Sequence, residues 1–226
     1  MLTRSQNRPD PQSDETKKLV DHAKRLVDEG PDKPLFDVLF LNENEGFVVG
    51  AFNFAMRTRD GGKTWESISD RTSNPEAYHL YSLTSSKDRV FLAGEHGLLR
   101  RWNAELERFE TLPSPYQGSY FGIIAQESDL FAFGMRGNAF RSKDGGRSWD
   151  KLDTRSVASI NGGVALTDKR IVLATQGGAL LVSEDQGATF SQQPAPMPLP
   201  CAGVAAAGDN AVVVVGSFGV RVEAIR

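Results

Sequence analysis

The sequence has few of the residues that disulfide-bonded or metal-binding proteins require. It contains a single cysteine, Cys201, so an intrachain disulfide is excluded. The histidines His22, His79 and His96 are too widely spaced to build a zinc site with that one thiol. The formal net charge is −3, from 26 basic and 29 acidic residues, and the basic residues are scattered. We therefore expect no cofactor or metal and no nucleic-acid partner.

Long hydrophobic runs are also missing. The longest apolar stretch is AVVVVG at Ala211–Gly216, which has the length of a strand and not of a membrane span. The first ten residues, MLTRSQNRPD, contain no apolar segment of the kind that a signal peptide needs. The sequence therefore predicts no direct membrane span and no signal peptide, and a cytoplasmic location if this chain is the full product.

Glycine, by contrast, is abundant, and it marks an internal repeat. From Leu35 onward short apolar runs alternate with clusters of Gly, Asn, Asp and Ser, which is typical of all-β proteins. A short turn follows the central apolar run of each unit and reads GAFN, GEHG, GMRG, TQGG and GSFG. These turns end at positions 53, 97, 137, 178 and 219, so the period is 40 to 44 residues.

Each repeat predicts a small antiparallel sheet. An apolar strand, a polar turn, a second strand, the Gly-containing turn and a third strand follow one another, and several copies add a fourth strand. Four strands in about 40 to 45 residues indicate a β-propeller blade. We expect an all-β propeller over residues 35–226, with about five blades at 35–70, 77–113, 118–153, 157–192 and 201–226. The last blade is expected to be incomplete.

A second motif recurs in the turn before the fourth strand. It reads RTRDGGKTW at Arg57–Trp65, RSKDGGRSW at Arg141–Trp149 and VSEDQGATF at Val182–Phe190. The aspartates can accept hydrogen bonds from turn N–H groups, the glycines can adopt positive φ, and the aromatic residues are expected to pack between sheets. A catalytic site would converge on one pocket, whereas these copies lie around a rim. The motif therefore predicts a structural role for Asp60, Gly62, Trp65, Asp144, Gly146, Trp149, Asp185, Gly187 and Phe190, and no catalytic residue is assigned.

Residues 13–34 predict one amphipathic helix and a linker, after a loose tail at residues 1–12. Ser13 or Asp14 can cap the helix, and Gly30 stands where its C-terminal cap belongs. Apolar residues recur at helical spacing, at Leu19, Ala23, Leu26 and Val27. The stripe either packs on the propeller to cover an open edge, or the helix is an element inserted between blades of a longer parent.

The repeated motif resembles the Asp-box of BNR-repeat proteins. Within that class the chain resembles the photosystem II stability and assembly factor family and its bacterial relatives, some of them labelled glycosyl hydrolase-like. The stretches that carry the resemblance are Phe36–Trp65 and Tyr120–Trp149, and it extends over Leu35–Arg226. The resemblance implies a periplasmic or lumenal scaffold protein without enzymatic activity. Such a scaffold would assist assembly of a membrane protein complex through protein–protein contacts with a subunit.

The chain departs from that family in length. Family members usually have about seven blades and an export signal. We expect either an N-terminally shortened propeller or a five-bladed ring that closes unusually. An open edge at Val220–Ile225 would favour self-association by strand pairing.

The loops that do not repeat are the candidates for a binding surface. They contain Tyr78, His79 and Tyr81 in EAYHLYS, Tyr116 and Tyr120 in SPYQGSYFG, and Arg136 in GMRGNAF, with Glu95 and His96 as weaker candidates. Tyrosine and arginine are favoured anchors in interfaces. The alternative to a binding role is a structural one, in which these tyrosines pack between blades.

Two other functions remain open. A sialidase-type glycosidase needs an arginine triad, a Tyr–Glu nucleophile pair and an acidic proton donor. The sequence lacks an Arg-Ile-Pro segment and offers the tyrosines no clear glutamate partner. A glycan- or peptide-binding receptor module cannot be separated from a scaffold by sequence.

Overall fold

The chain divides into two compact units, Met1–Pro34 and Leu35–Arg226. The computed structural model describes residues 33–193 and 200–225, with six isolated positions before them: Lys17, Val20, Asp21, Lys24, Asp28 and Gly30. The first five of these six are helical and exposed, and they fall inside the predicted helix. The predicted apolar stripe of that helix and the predicted tail at residues 1–12 lie outside the described residues.

The second unit consists of five antiparallel sheets, each formed by strands that follow one another in the chain. Blade 1 contains β1 (Leu35–Phe40), β2 (Gly46–Gly50), β3 (Ala55–Thr58) and β4 (Glu66–Ser67); blade 2 contains β5 (Leu80–Ser86), β6 (Arg89–Gly94), β7 (Leu99–Asn103) and β8 (Arg108–Thr111). Blade 3 contains β9 (Tyr120–Gln126), β10 (Asp129–Gly134), β11 (Ala139–Ser142) and β12 (Asp150–Leu152); blade 4 contains β13 (Ile160–Ala165), β14 (Ile171–Thr175), β15 (Leu180–Ser183) and β16 (Ser191–Gln193). Blade 5 has three described strands, β17 (Cys201–Ala206), β18 (Ala211–Gly216) and β19 (Gly219–Ala224). The predicted all-β propeller is confirmed, and within the described residues its last blade has three strands.

The first strands of successive blades lie side by side, β1 against β5, β5 against β9, β9 against β13 and β13 against β17. They line a central channel. Because strands alternate in direction, two sets of loops collect at opposite ends of this unit. We call the end with the turns between second and third strands, and the linkers between blades, the upper end. The lower end carries the first hairpin of each blade and the Asp-box turns.

The hydrophobic core is split into four clusters, one at each junction between consecutive blades. At the junction of blades 1 and 2, for example, Phe47 and Val49 pack with Leu83 and Leu92. Equivalent clusters join blades 2 and 3, 3 and 4, and 4 and 5. The central strand of each blade is therefore apolar on both faces, and β2, β6, β10 and β14 are buried along most or all of their length.

The two outermost sheets each leave one apolar face exposed. On β1 the exposed residues include Phe36, Val38 and Phe40, and on β19 they include Val220 and Val222. Among the described residues β19 pairs only with β18. The predicted edge at Val220–Ile225 is therefore an edge in the described part of the chain, and strand-mediated self-association stays a prediction.

The upper turns lie close to neighbouring backbone, which gives a test of the fold. Gly137 has φ +70, and a methyl group there would overlap the carbonyl oxygen of Ser156 in the linker to blade 4. We expect Gly137→Ala to lower the free energy of unfolding by about 3 kcal/mol, because left-handed strain and a backbone clash add. Gly208→Ala is the matched control, since Gly208 has φ +80 but no atom within 4 Å.

Gly208→Ala should cost about 1 kcal/mol, from backbone strain alone. Urea unfolding followed by circular dichroism measures both values. Equal losses in the two variants would contradict the close approach of the Gly137 turn to the linker.

Candidate functional site

The upper end at the junction of blades 1 and 2 gathers a group of aromatic side chains, two of them exposed and three half-buried. Phe36 stacks on Tyr81 with ring centroids 5.3 Å apart, and Phe52 meets His79 edge-on at 4.7 Å. Tyr81 also contacts Phe121 of blade 3 at 5.5 Å. We call these five residues the aromatic patch. Three of them, Phe36, Tyr81 and Phe121, also line the channel, so the patch continues into it.

Glu95 accepts hydrogen bonds from two residues of the patch. Glu95 accepts the backbone N–H of His79 at 2.8 Å and the Tyr81 hydroxyl at 3.4 Å. Burial, together with the negative charge of Glu95, raises the pKa of Tyr81 above its ordinary value. Tyr81 therefore stays protonated and acts as a hydrogen-bond donor.

The turn that carries Phe52 has an unusual backbone. Phe52 has φ 53 in the left-handed region, although its side chain is 61% exposed. Its N–H donates to Nδ1 of His79 at 2.8 Å, which fixes the ring of His79 under it. His96 and Arg136 occupy the same place in the turns of blades 2 and 3, with φ 51 and 57. A non-glycine residue in this conformation costs about 1 kcal/mol or more.

These exposed left-handed side chains are hard to explain by folding. Glycine would adopt this backbone without strain. The turn of blade 4 is built differently, because Gly178 and not Gly177 has positive φ there. Phe52, His96 and Arg136 are exposed, so burial does not repay the strain. Exposed left-handed residues also occur in the lower-end turns, at Lys87, Glu127 and Lys169. What distinguishes Phe52 is that the side chain held in this conformation is a large apolar ring, and strain at such a residue is typical of binding sites.

The described lining of the channel next to the patch contains one carboxylate, Asp37. The cavity has a volume of about 360 Å³ and is lined by all five inner strands. Asp37 on β1 accepts the N–H of Leu83 on β5 at 2.7 Å, which ties blade 1 to blade 2. Burial raises the pKa of Asp37, although hydrogen bonds from the N–H groups of Leu83 and Val38 oppose that rise.

The six residues expected to form a binding surface are not all brought together. His79 and Tyr81 lie in the aromatic patch. Tyr78 is adjacent, half-buried and stacked on His96 at 4.5 Å. Arg136 is exposed at the upper end of blade 3.

Tyr116 and Tyr120 pack between blades. Tyr120 is fully buried, and burial raises its pKa to about 12. The half-buried Tyr116 contacts Tyr120 and Phe140, and its hydroxyl donates to the carbonyl oxygen of Met135 at 3.2 Å. Tyr120 therefore belongs to the core at the junction of blades 2 and 3. Packing between blades describes its position better than a binding role does.

Sequence reasoning missed three members of the patch, Phe36, Phe52 and Phe121. Phe36 and Phe121 were assigned to strands, where aromatic residues normally indicate core. A signal existed for Phe52, because the turn GAFN places an aromatic residue where a left-handed backbone is needed. The juxtaposition of β1, β5 and β9 around the channel, which brings the rings together, cannot be read from any local pattern.

The Asp-box turns lie at the lower end, away from the patch, and their polar groups are occupied. Asp60 accepts the N–H and the hydroxyl of Thr64 at 2.8 and 2.6 Å. These bonds lower the pKa of Asp60 to about 2, and the equivalent bonds from Thr189 do the same for Asp185. The hydroxyl of Ser148 likewise lowers the pKa of Asp144. These carboxylates are acceptors inside a turn, which makes them poor general acids or nucleophiles.

The aromatic residues of the boxes differ in their surroundings. Phe190 lies in the core between blades 3 and 4, and Trp149 packs against the core between blades 2 and 3. Trp65 is half-buried and meets Phe40 edge-on at 6.1 Å within its own blade. Blade 1 has no described preceding blade for Trp65 to contact.

No group of three or more His, Cys, Asp or Glu side chains is placed to hold a metal ion in the part of the chain that the structure describes. None of the described helical segments is long and apolar enough to cross a membrane.

Comparison with known proteins supports the expected relationship. The family model for photosynthesis system II assembly factor YCF48 matches residues 18–114. The chain resembles this family. The photosystem II assembly lipoprotein Ycf48 of Prochlorococcus marinus is 30% identical over 136 residues, which cover 59% of this chain and 39% of that protein. The chain thus matches well under half the length of this relative.

Solved structures agree on the fold. The structure described as YCF48 bound to D1 peptide has a TM-score of 0.69 and 18% identity, and the match covers 84% of this chain and 63% of that one. YCF48 from Cyanidioschyzon merolae has a TM-score of 0.70 and 16% identity, over 86% of this chain and 68% of that one. At this level of identity the likeness shows the propeller fold, and the Ycf48 resemblance rests on the sequence matches.

The Asp37 contact gives a pH-dependent test of the channel wall. Because folding raises the pKa of Asp37, the stabilisation from its protonated form is present below about pH 4 and is lost as pH rises through the folded-state pKa. Asp37→Asn keeps an oxygen for the N–H of Leu83 and removes the charge; it gives up the second oxygen, which accepts the N–H of the exposed Val38, where water can replace it. We expect it to be at least as stable as the parent at pH 7.

Asp37→Ala leaves the N–H of Leu83 without its acceptor and should cost about 1–3 kcal/mol. Thermal unfolding between pH 3 and about 8 measures both variants, within the range where the carboxyl group titrates. An Asp37→Asn variant as unstable at pH 7 as Asp37→Ala would refute the hydrogen-bonding role.

Proposed function

We propose that this protein is a non-enzymatic scaffold of the photosystem II assembly-factor type, which binds a peptide segment of a membrane-complex subunit through the aromatic patch. The observation that carries the proposal is the patch itself, with Phe52 held exposed on a left-handed backbone at the mouth of the channel. The resemblance to Ycf48 over residues 18–114 supports it, because that segment contains four of the five patch residues.

The chemistry of the patch suits an extended peptide. Aromatic rings give large, rigid contact area at low entropic cost, and such residues dominate binding energy in protein interfaces. The channel behind the patch, about 360 Å³, can admit one side chain of the partner. One of the similar structures is described as bound to D1 peptide, which makes a D1 peptide the natural first probe.

The location of the protein follows from the same relationship. The matched relatives are named lipoproteins of photosystem II assembly. We propose a lumenal or periplasmic location, where a partner's exposed termini and loops are accessible.

A binding measurement tests the patch directly. We expect a fluorescently labelled D1 peptide to bind the protein, and Phe52→Ala to weaken binding about tenfold or more, as is usual when an aromatic anchor is removed. Leu106→Ala is the matched control, since Leu106 is also 61% exposed but lies in the Asp-box turn of blade 2 at the lower end. Fluorescence anisotropy gives both dissociation constants.

Binding that is unaffected by Phe52→Ala, or equally weakened by Leu106→Ala, would exclude the patch as the peptide site. Phe52→Gly refines the result. It removes the ring and relieves the left-handed strain, so it should lose binding without losing stability.

A glycosidase remains the second candidate because of one contact. The hydroxyl of Tyr81 lies 3.4 Å from Glu95, which supplies the glutamate partner that the sequence did not reveal. A nucleophilic tyrosine needs a phenolate within reach, however, and the pKa of Tyr81 is raised. We therefore expect no release of fluorophore from a fluorogenic sialoside by the wild-type protein. Turnover that disappears in Tyr81→Phe would overturn the scaffold proposal.

A further inference from the structure

A basic pocket lies at the lower end, between the first hairpin of blade 2 and the Asp-box turn of blade 3. Its volume is about 240 Å³. The cations around it are Lys87 and Arg89 from blade 2, and Lys143 and Arg147 from blade 3. The hydroxyl-bearing residues Ser86 and Ser128 and the backbone at Gly145 complete the wall.

The internal repeat shows that Arg89 breaks a charge pattern. In blades 1 and 3 an arginine on the third strand pairs with an acid at the start of the second strand: Arg57 with Glu45, and Arg141 with Asp129. Strand register places Arg89 at the corresponding acidic position of blade 2, because Phe91 lies opposite Arg101 as Phe47 lies opposite Arg57.

The third-strand arginine of blade 2 has found another partner. Arg101 is paired with Glu110 on the neighbouring strand, at 3.2 Å. The charge of Arg101 is therefore neutralised without an acid at position 89. The guanidinium of Arg89 lies near Gly145 of the next blade.

The facing turn is reversed in charge as well. Arg147 stands two residues before the aromatic Trp149, where the corresponding turn of blade 2 has Glu107 before Phe109. At the junction of blades 1 and 2, Glu107 accepts from Arg59 at 2.5 Å and from Arg57 at 3.4 Å. The positions of Arg89 and Arg147 are thus both acidic at the junction of blades 1 and 2, where Glu45 and Glu107 pair with arginines. At the junction of blades 2 and 3 both positions are basic.

The four cations of the pocket outnumber the one acid in its lining and are not paired with it. Within the described part of the chain, the side chains of Lys87, Arg89, Lys143 and Arg147 form no ion pair and no hydrogen bond. The one carboxylate in the lining, Asp144, is held by Ser142, Ser148 and the N–H of Arg147. Unpaired like charges around one concavity repel each other and attract an anion.

We propose that this pocket binds a phosphate group, either free or as the headgroup of an anionic phospholipid. Four cations exceed one lining carboxylate by three charges, so a dianion suits the site better than a single carboxylate does. Guanidinium groups from opposite walls can each donate a forked pair of hydrogen bonds to a tetrahedral oxyanion. The site lies at the end opposite the aromatic patch and is independent of the proposed peptide binding.

Titration with inorganic phosphate tests the proposal. We expect saturable binding of one phosphate at low ionic strength, weakening as salt is added. The double variant Arg89→Gln, Arg147→Gln should bind at least about tenfold more weakly, because two charge-assisted contacts are lost. All four cations are exposed, so these substitutions should leave the melting temperature unchanged.

Lys63→Gln is the matched control, since Lys63 occupies in blade 1 the turn position of Arg147 in blade 3. It should bind phosphate as the parent does. Calorimetry that detects no binding to the parent, or an equal loss in Lys63→Gln, would overturn the assignment.

Vesicles identify the source of the phosphate group. If the ligand is a headgroup, the protein should sediment with phosphatidylglycerol vesicles and not with phosphatidylcholine vesicles. Inorganic phosphate and the double variant should both abolish that sedimentation. Phosphate binding without sedimentation would assign the pocket to the free ion.

Discussion

Packing of one sheet against the next is the interaction on which the rest of this structure depends. A four-stranded sheet of this size has two apolar faces and cannot cover both alone. The four core clusters all lie at junctions between blades, so each blade is stable only as a neighbour of another. Near the channel the sheets converge, and Gly122 and Gly163 leave the space that the ring of Phe133 fills.

This packing gives the two ends of the propeller different local structure. The lower-end turns are closed by their own hydrogen bonds, as in the Asp60–Thr64 pair, and they fix each third and fourth strand. The upper end carries the linkers, which are not constrained to repeat, and three large exposed side chains on left-handed backbone. Left-handed non-glycine residues occur at both ends, for example Lys87 at the lower end and Phe52 at the upper end, so what sets the upper end apart is its linkers, which vary from blade to blade.

Departures from the repeat were more informative than the repeat. Acid–arginine pairs stabilise blades 1 and 3, and the charge reversals at Arg89 and Arg147 are visible only against that background. The same holds for Phe52, an apolar ring at the left-handed turn position that blades 2 and 3 fill with His96 and Arg136. In a repeat protein the common positions are explained by folding, so an unexplained exception at an exposed position points to a ligand.

The sequence by itself determined the all-β propeller, the number of repeats and the structural character of the DGG turns, because these depend on local periodicity and turn chemistry. It proposed the loop containing His79 and Tyr81 as a binding surface, which stays a prediction, and it could not show that Tyr120 is fully buried, because that burial depends on the neighbouring blade. Only the tertiary structure decided that Phe36, Phe52 and Phe121 share a surface with that loop, and that Arg89 faces Arg147. These contacts cross blade junctions between residues more than ten positions apart, and their geometry is set by sheet stacking, which no local pattern encodes.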